Sequence, residues 1–149
     1  MSKNLSHVSI VVPDLEAAIA KMRDVHGLVS GPIKENLQQG VRLAYIDLGN
    51  SKIELMQPLT ADSPVGRFLA KHPGGGMHHL CFGVDEVVAE TDALKQKGLR
   101  VLGDGKPATN VHGQQIAFVH PADFFGALLE LEQNTADSSE KLLGKRHGA

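Results

Sequence analysis

Residues 77–82 read Met77-His78-His79-Leu80-Cys81-Phe82, directly behind Gly74-Gly75-Gly76. The apolar run predicts a short strand, and side chains along a strand alternate between its two faces. His78, Leu80, Phe82 and Val84 then share one face, which is mostly apolar, while His79, Cys81 and Gly83 share the other. A sheet that packs a helix on one face and lines a cavity with the other reads this way, with His79 pointing into the cavity. A single strand histidine is most often a hydrogen-bonded core residue. Its reading therefore depends on what accompanies it.

An equivalent strand opens the chain. Residues 5–12, Leu5-Ser6-His7-Val8-Ser9-Ile10-Val11-Val12, are rich in β-branched side chains and bounded by Pro13. Asp14 is placed to cap a helix in which Leu15, Ala18, Ile19, Met22 and Val25 recur at helical spacing, and Gly27 stops it. Residues 28–33 predict a weaker strand broken by Gly31-Pro32. Residues 41–48 predict a clear strand, and 52–56 its hairpin partner across the Gly49-Asn50 turn. Ser63-Pro64 has the form of an N-cap and first-turn proline. It opens a short helix with Val65, Phe68 and Leu69 on one side, ended by His72-Pro73 and the glycines.

From residue 77 the pattern starts again. The strand over 77–84 leads to Asp85 as the expected cap of a helix with Val87, Val88, Thr91 and Leu94 on one face, stopped by Gly98. Strands over 99–102, 114–120 and 127–132 complete the half. His7 matches His79 at an offset of 72, and Gly27-Leu28 matches Gly98-Leu99 at 71. Leu43-Ala44-Tyr45-Ile46 matches Ile116-Ala117-Phe118-Val119 at 73, and Ile53-Glu54-Leu55 matches Leu129-Glu130-Leu131 at 76. Small drifts that fall in loops are those of a diverged tandem repeat. The fold expected is α+β, with two tandem βαβββ modules in one domain over 1–149. Module one covers 4–58, a linker helix 59–76, module two 77–133 and a flexible tail 134–149.

The repeat selects four polar residues. His7 and His79 take the same place in the first strand of each half, and Glu54 and Glu130 the same place in the last. Alternation sets His7 opposite Val8, Ile10 and Val12, Glu54 opposite Ile53 and Leu55, and Glu130 opposite Leu129 and Leu131. All four would leave the helix-packed face and enter the other. Converging imidazoles and carboxylates suit a divalent first-row ion such as zinc, cobalt, nickel, manganese or iron(II). Buried together without a cation, the two carboxylates would repel and resist ionisation. Either glutamate alone would also suit a solvent-facing sheet surface.

Composition narrows the partners. At 149 residues the chain is one ordinary domain or two half-size units sharing a core, and 42% hydrophobic with 21% charged residues is the balance of a soluble globular protein. A net charge of −2 without a basic stripe excludes nucleic acid as an expected partner. No apolar run approaches the roughly 18 residues that span a bilayer, and the first residues lack the pattern of a signal or transit peptide, so no membrane partner is expected. The one cysteine, Cys81, reads as an inert core thiol. His112 and His120 read as loop and strand-end histidines.

Several stretches carry a resemblance. HVSIVVPDLEAAI at 7–19, QGVRLAYIDLGNSKIELMQPL at 39–59, DSPVGRFLAKHPGGGMHHLCFGVD at 62–85 and HGQQIAFVHPADFFGALLELEQ at 112–133 are similar to the vicinal oxygen chelate superfamily of glyoxalases, bleomycin-resistance proteins and dioxygenases. Within it they resemble the methylmalonyl-CoA epimerase family, DSPVGRFLAKH followed by GGMHHL being the most specific piece. The resemblance implies paired modules that form a cupped mixed sheet around a metal site, with helices on the outer face. It implies His7, Glu54, His79 and Glu130 as ligands of a divalent ion, cobalt(II) first, with zinc, nickel or manganese as alternatives. The implied activity interconverts (R)- and (S)-methylmalonyl-CoA by proton removal and return at C2 through a metal-stabilised enolate. Glu130 is the first candidate for base or acid, and Glu54, its repeat mate, the candidate for the opposite face. An acyl-CoA substrate, a homodimer, a cytoplasmic location and a place in propionate metabolism follow from the same resemblance.

The chain departs from the family at Leu43, where some epimerases carry a glutamate proposed as a base. It also departs at Lys21-Met22-Arg23-Asp24-Val25-His26, usually aromatic-rich, and at Ala122, often lysine. The rival readings are a glyoxalase I-type lactoylglutathione lyase with the same ligand set and a non-catalytic small-molecule-binding member. An extradiol dioxygenase would use two histidines and one glutamate on iron(II).

Overall fold

The structure, a computed structural model, describes residues 3–110 and 112–136. The chain falls into two compact units. The first is Leu5–Cys81, and the second takes the described residues from Phe82 onward together with Lys3 and Asn4. Most of the tail expected over 134–149 lies outside the described residues.

The first unit holds most of β1 (Lys3–Val11), then α1 (Leu15–His26), β2 (Lys34–Asn36), β3 (Val41–Asp47), β4 (Lys52–Pro58), α2 (Pro64–Lys71) and the start of β5 (Gly76–Val84). Its strands lie in the order β2-β3-β4-β1-β5. β1 runs parallel to β4, whereas β2–β3 and β3–β4 are antiparallel. The sheet is therefore mixed. Asp14 caps α1 by accepting from the Ala17 amide at 3.0 Å, and Gly27 ends it in the left-handed conformation, φ 67°. Ser63 caps α2 by accepting from the Gly66 amide at 3.0 Å, with Pro64 in the first turn.

Alternation gives this sheet two faces. On one, Leu15, Ala18, Ile19 and Met22 of α1 pack against Ile10, Ala44, Ile46, Ile53 and Leu55. On the other, Val65, Phe68 and Leu69 of α2 close over Val11, Val41, Leu43 and Met56. Each fully buried aliphatic side chain contributes about 1.5–3 kcal/mol, so both faces hold the sheet in register. After α2 the chain returns against β1 through Gly75, whose φ is 93°. A Cβ there would meet the Val11 carbonyl at 2.5 Å, which only glycine avoids.

The second unit contains the end of β5, α3 (Val87–Gln96), β6 (Ala108–Thr109), β7 (Gln115–Val119), a short 3-10 helix at Pro121–Asp123 and β8 (Leu128–Gln133). Its order is β5-β8-β7-β6. Val84, Val87, Ala117, Val119, Leu129 and Leu131 form its core. The two units repeat each other in register: Tyr45 stands opposite Glu54, and Phe118 opposite Glu130. They also repeat a helix cap. Gln57 Oε1 accepts from the Leu15 amide at 2.9 Å, and Gln133 Oε1 accepts from the Val87 amide at 2.9 Å.

Three local expectations are corrected. The strand expected over 28–33 lies instead at Lys34–Asn36. The Gly31 amide reaches the Tyr45 carbonyl at 2.8 Å, but Pro32 then has no N–H to give, and the ladder forms only beyond it. The strand expected over 99–102 is reduced to a bridge between Val101 and Val119, and pairing resumes after Pro107 at Ala108–Thr109. Gly103 and Gly105, at φ 72° and 74°, turn the chain between them. Asp85 does not cap α3: Glu86 is the N-cap residue and makes no side-chain cap bond. The Gln133 carboxamide serves instead, donating to the Asp85 carbonyl as it accepts from Val87. No helix among the described residues is long and apolar enough to cross a membrane.

Candidate metal centre

Within the first unit, the α2-facing side of the sheet gathers buried polar side chains on the adjacent strands β4, β1 and β5. There β1 presents His7 and Ser9, β4 presents Glu54, and β5 presents His79. His7, Glu54 and His79 are 4%, 5% and 5% exposed. That burial removes the solvent-facing alternative for Glu54. The parallel register of β1 and β4 sets Ser9 directly beside Glu54, with His7 one pleat away.

The polar atoms converge closely. His7 Nε2 and His79 Nε2 are 3.4 Å apart, and Glu54 Oε1 lies 4.0 Å from the former and 3.8 Å from the latter. Donor atoms at these separations can all reach one first-row ion at about 2.0–2.2 Å. His7, Glu54 and His79 form a buried group able to hold a metal ion. Two neutral imidazoles and one carboxylate are the donor chemistry of such an ion. The residues present thus fit the metal that the family resemblance implies.

Each imidazole is also oriented from behind. Ser6 Oγ lies 3.2 Å from His7 Nδ1, and His78 Nδ1 lies 2.8 Å from His79 Nδ1. Both histidines therefore turn Nε2 toward Glu54. A partner on the far nitrogen of a ligand histidine fixes its ring and tautomer. His78 reads from alternation as belonging to the far face, and its ring nonetheless reaches back to its neighbour while packing edge-on to Phe68 at 5.1 Å.

The fourth candidate, Glu130, lies on β8 of the second unit, 6% exposed and opposite Phe118, the repeat image of Glu54 opposite Tyr45. Ser9 is the residue sequence reasoning missed. Its hydroxyl donates to Glu54 Oε1 at 2.5 Å and lies 2.8 Å from His79 Nε2, and Ser9 is wholly buried. Two residues beyond His7 it shares that residue's face, but the β1–β4 register that sets it against Glu54 leaves no mark in the sequence. His120 is a capping residue: its Nδ1 accepts from the Ala122 amide at 3.0 Å. His112 is exposed. Cys81 is buried and makes no disulfide.

The family model of the Glyoxalase/Bleomycin resistance protein/Dioxygenase superfamily matches residues 6–118. The chain is 47% identical, over 133 residues, to an ethylmalonyl-CoA/methylmalonyl-CoA epimerase of Cereibacter sphaeroides, covering 89% of this chain and 99% of that one. It is 43% identical to the mitochondrial methylmalonyl-CoA epimerase of Mus musculus, covering 87% and 72% of the two chains. Among solved structures it is similar to a substituted form of the Streptomyces coelicolor methylmalonyl-CoA epimerase in complex with 2-nitronate-propionyl-CoA. That match has a TM-score of 0.81 and 37% identity, over 89% of this chain and 95% of that one.

Proposed function

The chain belongs to the methylmalonyl-CoA epimerases of the glyoxalase/bleomycin resistance protein/dioxygenase superfamily, and we propose that it interconverts (R)- and (S)-methylmalonyl-CoA with a divalent metal ion. The observation that carries the metal reading is the convergence of His7, Glu54 and His79 in a buried cluster. Glu130 is proposed as the fourth ligand on its burial and its repeat relation to Glu54. The name of the Cereibacter sphaeroides relative extends the proposal to ethylmalonyl-CoA as a second substrate.

The carbon inverted lies between a thioester and a carboxylate, and its proton is weakly acidic. A divalent ion supplies Lewis-acid stabilisation of the negative charge that develops on the thioester oxygen, cobalt(II) first, then zinc, nickel or manganese. Glu130 takes the C2 proton: the C–H bond breaks and its electron pair spreads toward the thioester. Glu54 is proposed for the opposite face: protonated from solvent, it gives that proton to C2, which re-forms the C–H bond and leaves Glu54 ionised, while Glu130 releases the proton it took to solvent. Leu43 cannot serve as that second group. Both carboxylates are buried, and each must exchange its proton with solvent between turnovers for the C2 position to take up solvent hydrogen. A homodimer and a cytoplasmic location are proposed with the family reading.

Incubation with methylmalonyl-CoA in deuterium oxide tests this. Deuterium is expected at C2 with the native protein and not with Glu130→Gln. Full incorporation by that variant would refute the assignment of Glu130. A parallel assay with methylglyoxal and glutathione separates the lyase alternative; turnover there and none on methylmalonyl-CoA would favour the lyase.

A further inference from the structure

We propose that Ser9 is a positioning residue of the metal centre: its hydroxyl holds the Glu54 carboxylate in the place from which it binds the ion. The inference rests on the reading of His7, Glu54 and His79 as ligands. Three observations carry it. Ser9 lies beside Glu54 in the parallel β1–β4 ladder, so their side chains leave the sheet on the same face at neighbouring points. The hydroxyl donates to Glu54 Oε1 at 2.5 Å, a short charge-assisted bond. The group is fully buried, so no water replaces that bond if it is removed.

The hydroxyl has one proton, and an ionised carboxylate can only accept. With that proton given to Glu54, Ser9 accepts from His79 Nε2 at 2.8 Å, and His79 Nδ1 then accepts from His78 Nδ1 at 2.8 Å. This chain orients both ligand side chains before any ion arrives. To offer Nε2 to an ion, His79 takes the other tautomer, with its proton on Nδ1 toward His78, and gives up its bond to Ser9, while the bond from Ser9 to Glu54 is kept. Ser9 therefore acts on affinity through Glu54 rather than through His79. The two copies of the sequence repeat differ in this respect. Two residues beyond the matching histidine, the second copy of the strand carries Cys81, and a thiol is a weak donor. Only Glu54 of the two matched glutamates has a serine at that place.

The test is calorimetric titration of cobalt(II) into metal-free native protein, Ser9→Ala, Glu54→Gln and the double variant, beside the visible spectrum of the bound ion. Ser9→Ala should bind cobalt(II) at least about tenfold more weakly than native protein, the effect usual for an outer partner of a ligand. It should also alter the spectrum. In the Glu54→Gln background the same substitution should have little further effect, because the group it positions is already changed. Native affinity in Ser9→Ala would overturn the proposal while leaving the metal reading intact. So would an equal loss in both backgrounds, which would mark a general packing effect. Failure of the native protein to bind any divalent ion would overturn both.

Discussion

Leu43 stands at the position where the chain departs from the family pattern, and its surroundings show what it does there. It is 3% exposed among Val11, Val41, Met56 and Val65, on the same face of the sheet as Glu54. It is part of the apolar wall that α2 covers. Leu43→Ala should lower unfolding free energy by about 2–5 kcal/mol, read by chemical denaturation, while leaving cobalt(II) affinity unchanged. A loss of metal binding comparable to that of His79→Ala would contradict the separation of wall from centre. His7, Glu54 and His79 were legible in the sequence because each has a repeat mate of its own type, and alternation then gave each a face. Ser9 was not legible because its counterpart is Cys81. His78 was assigned by alternation, which fixes a Cβ direction but not where a long ring ends.

At the scale of elements, the helices are tied to the sheet by side chains from its far strands. Gln133 both accepts from the first amide of α3 and donates to the Asp85 carbonyl. Gln133→Ala should cost about 0.5–2 kcal/mol, the range for loss of a helix cap, and Gln57→Ala a similar amount at α1. Asp85→Ala should have a smaller effect on the cap, since Asp85 contributes its backbone carbonyl. The 3-10 helix is pinned by charge. Arg100 donates to Asp123 through its backbone amide at 2.8 Å and its guanidinium at 3.0 and 3.2 Å. Those bonds hold the Asp123 carboxyl down at about 2, against an ordinary value of 3.8. A depressed folded-state value means the contribution is complete above about 3.8 and is lost as pH falls through about 2. The Asp123 carboxyl resonance should titrate near 2 and move back toward 3.8 in Arg100→Ala. The long strands and helices α1, α2 and α3 were readable from alternation and spacing, and α1 and α2 also from their cap residues; the cap of α3 was not, because it comes from Gln133 on a strand distant in sequence. The short strands β2 and β6 were not, because each has too few residues to show a period and each is displaced beyond a proline.

For the molecule as a whole, the duplication accounts for most of what the sequence disclosed. The same order of elements, the same cross-strand pairing of aromatic with glutamate and the same glutamine cap occur in both units. Repetition turned weak local signals into a set. The boundary between units, within β5 rather than before it, was not readable, since no break in composition marks Cys81 and Phe82. A metal bound by the folded chain and not by the unfolded one adds stability by mass action, about 2.7 kcal/mol at a free ion concentration one hundred times Kd. Cobalt(II) should therefore raise the melting temperature of metal-free native protein and leave that of His7→Ala unmoved.

The central claim is that the chain exchanges the C2 proton of methylmalonyl-CoA with the help of a divalent ion held by His7, Glu54 and His79 with Glu130. Deuterium incorporation at C2, measured before chelation, after chelation and after cobalt(II) is restored, tests it most directly. Incorporation that disappears with the metal and returns with it is the predicted result; full incorporation by rigorously metal-free protein would contradict the account.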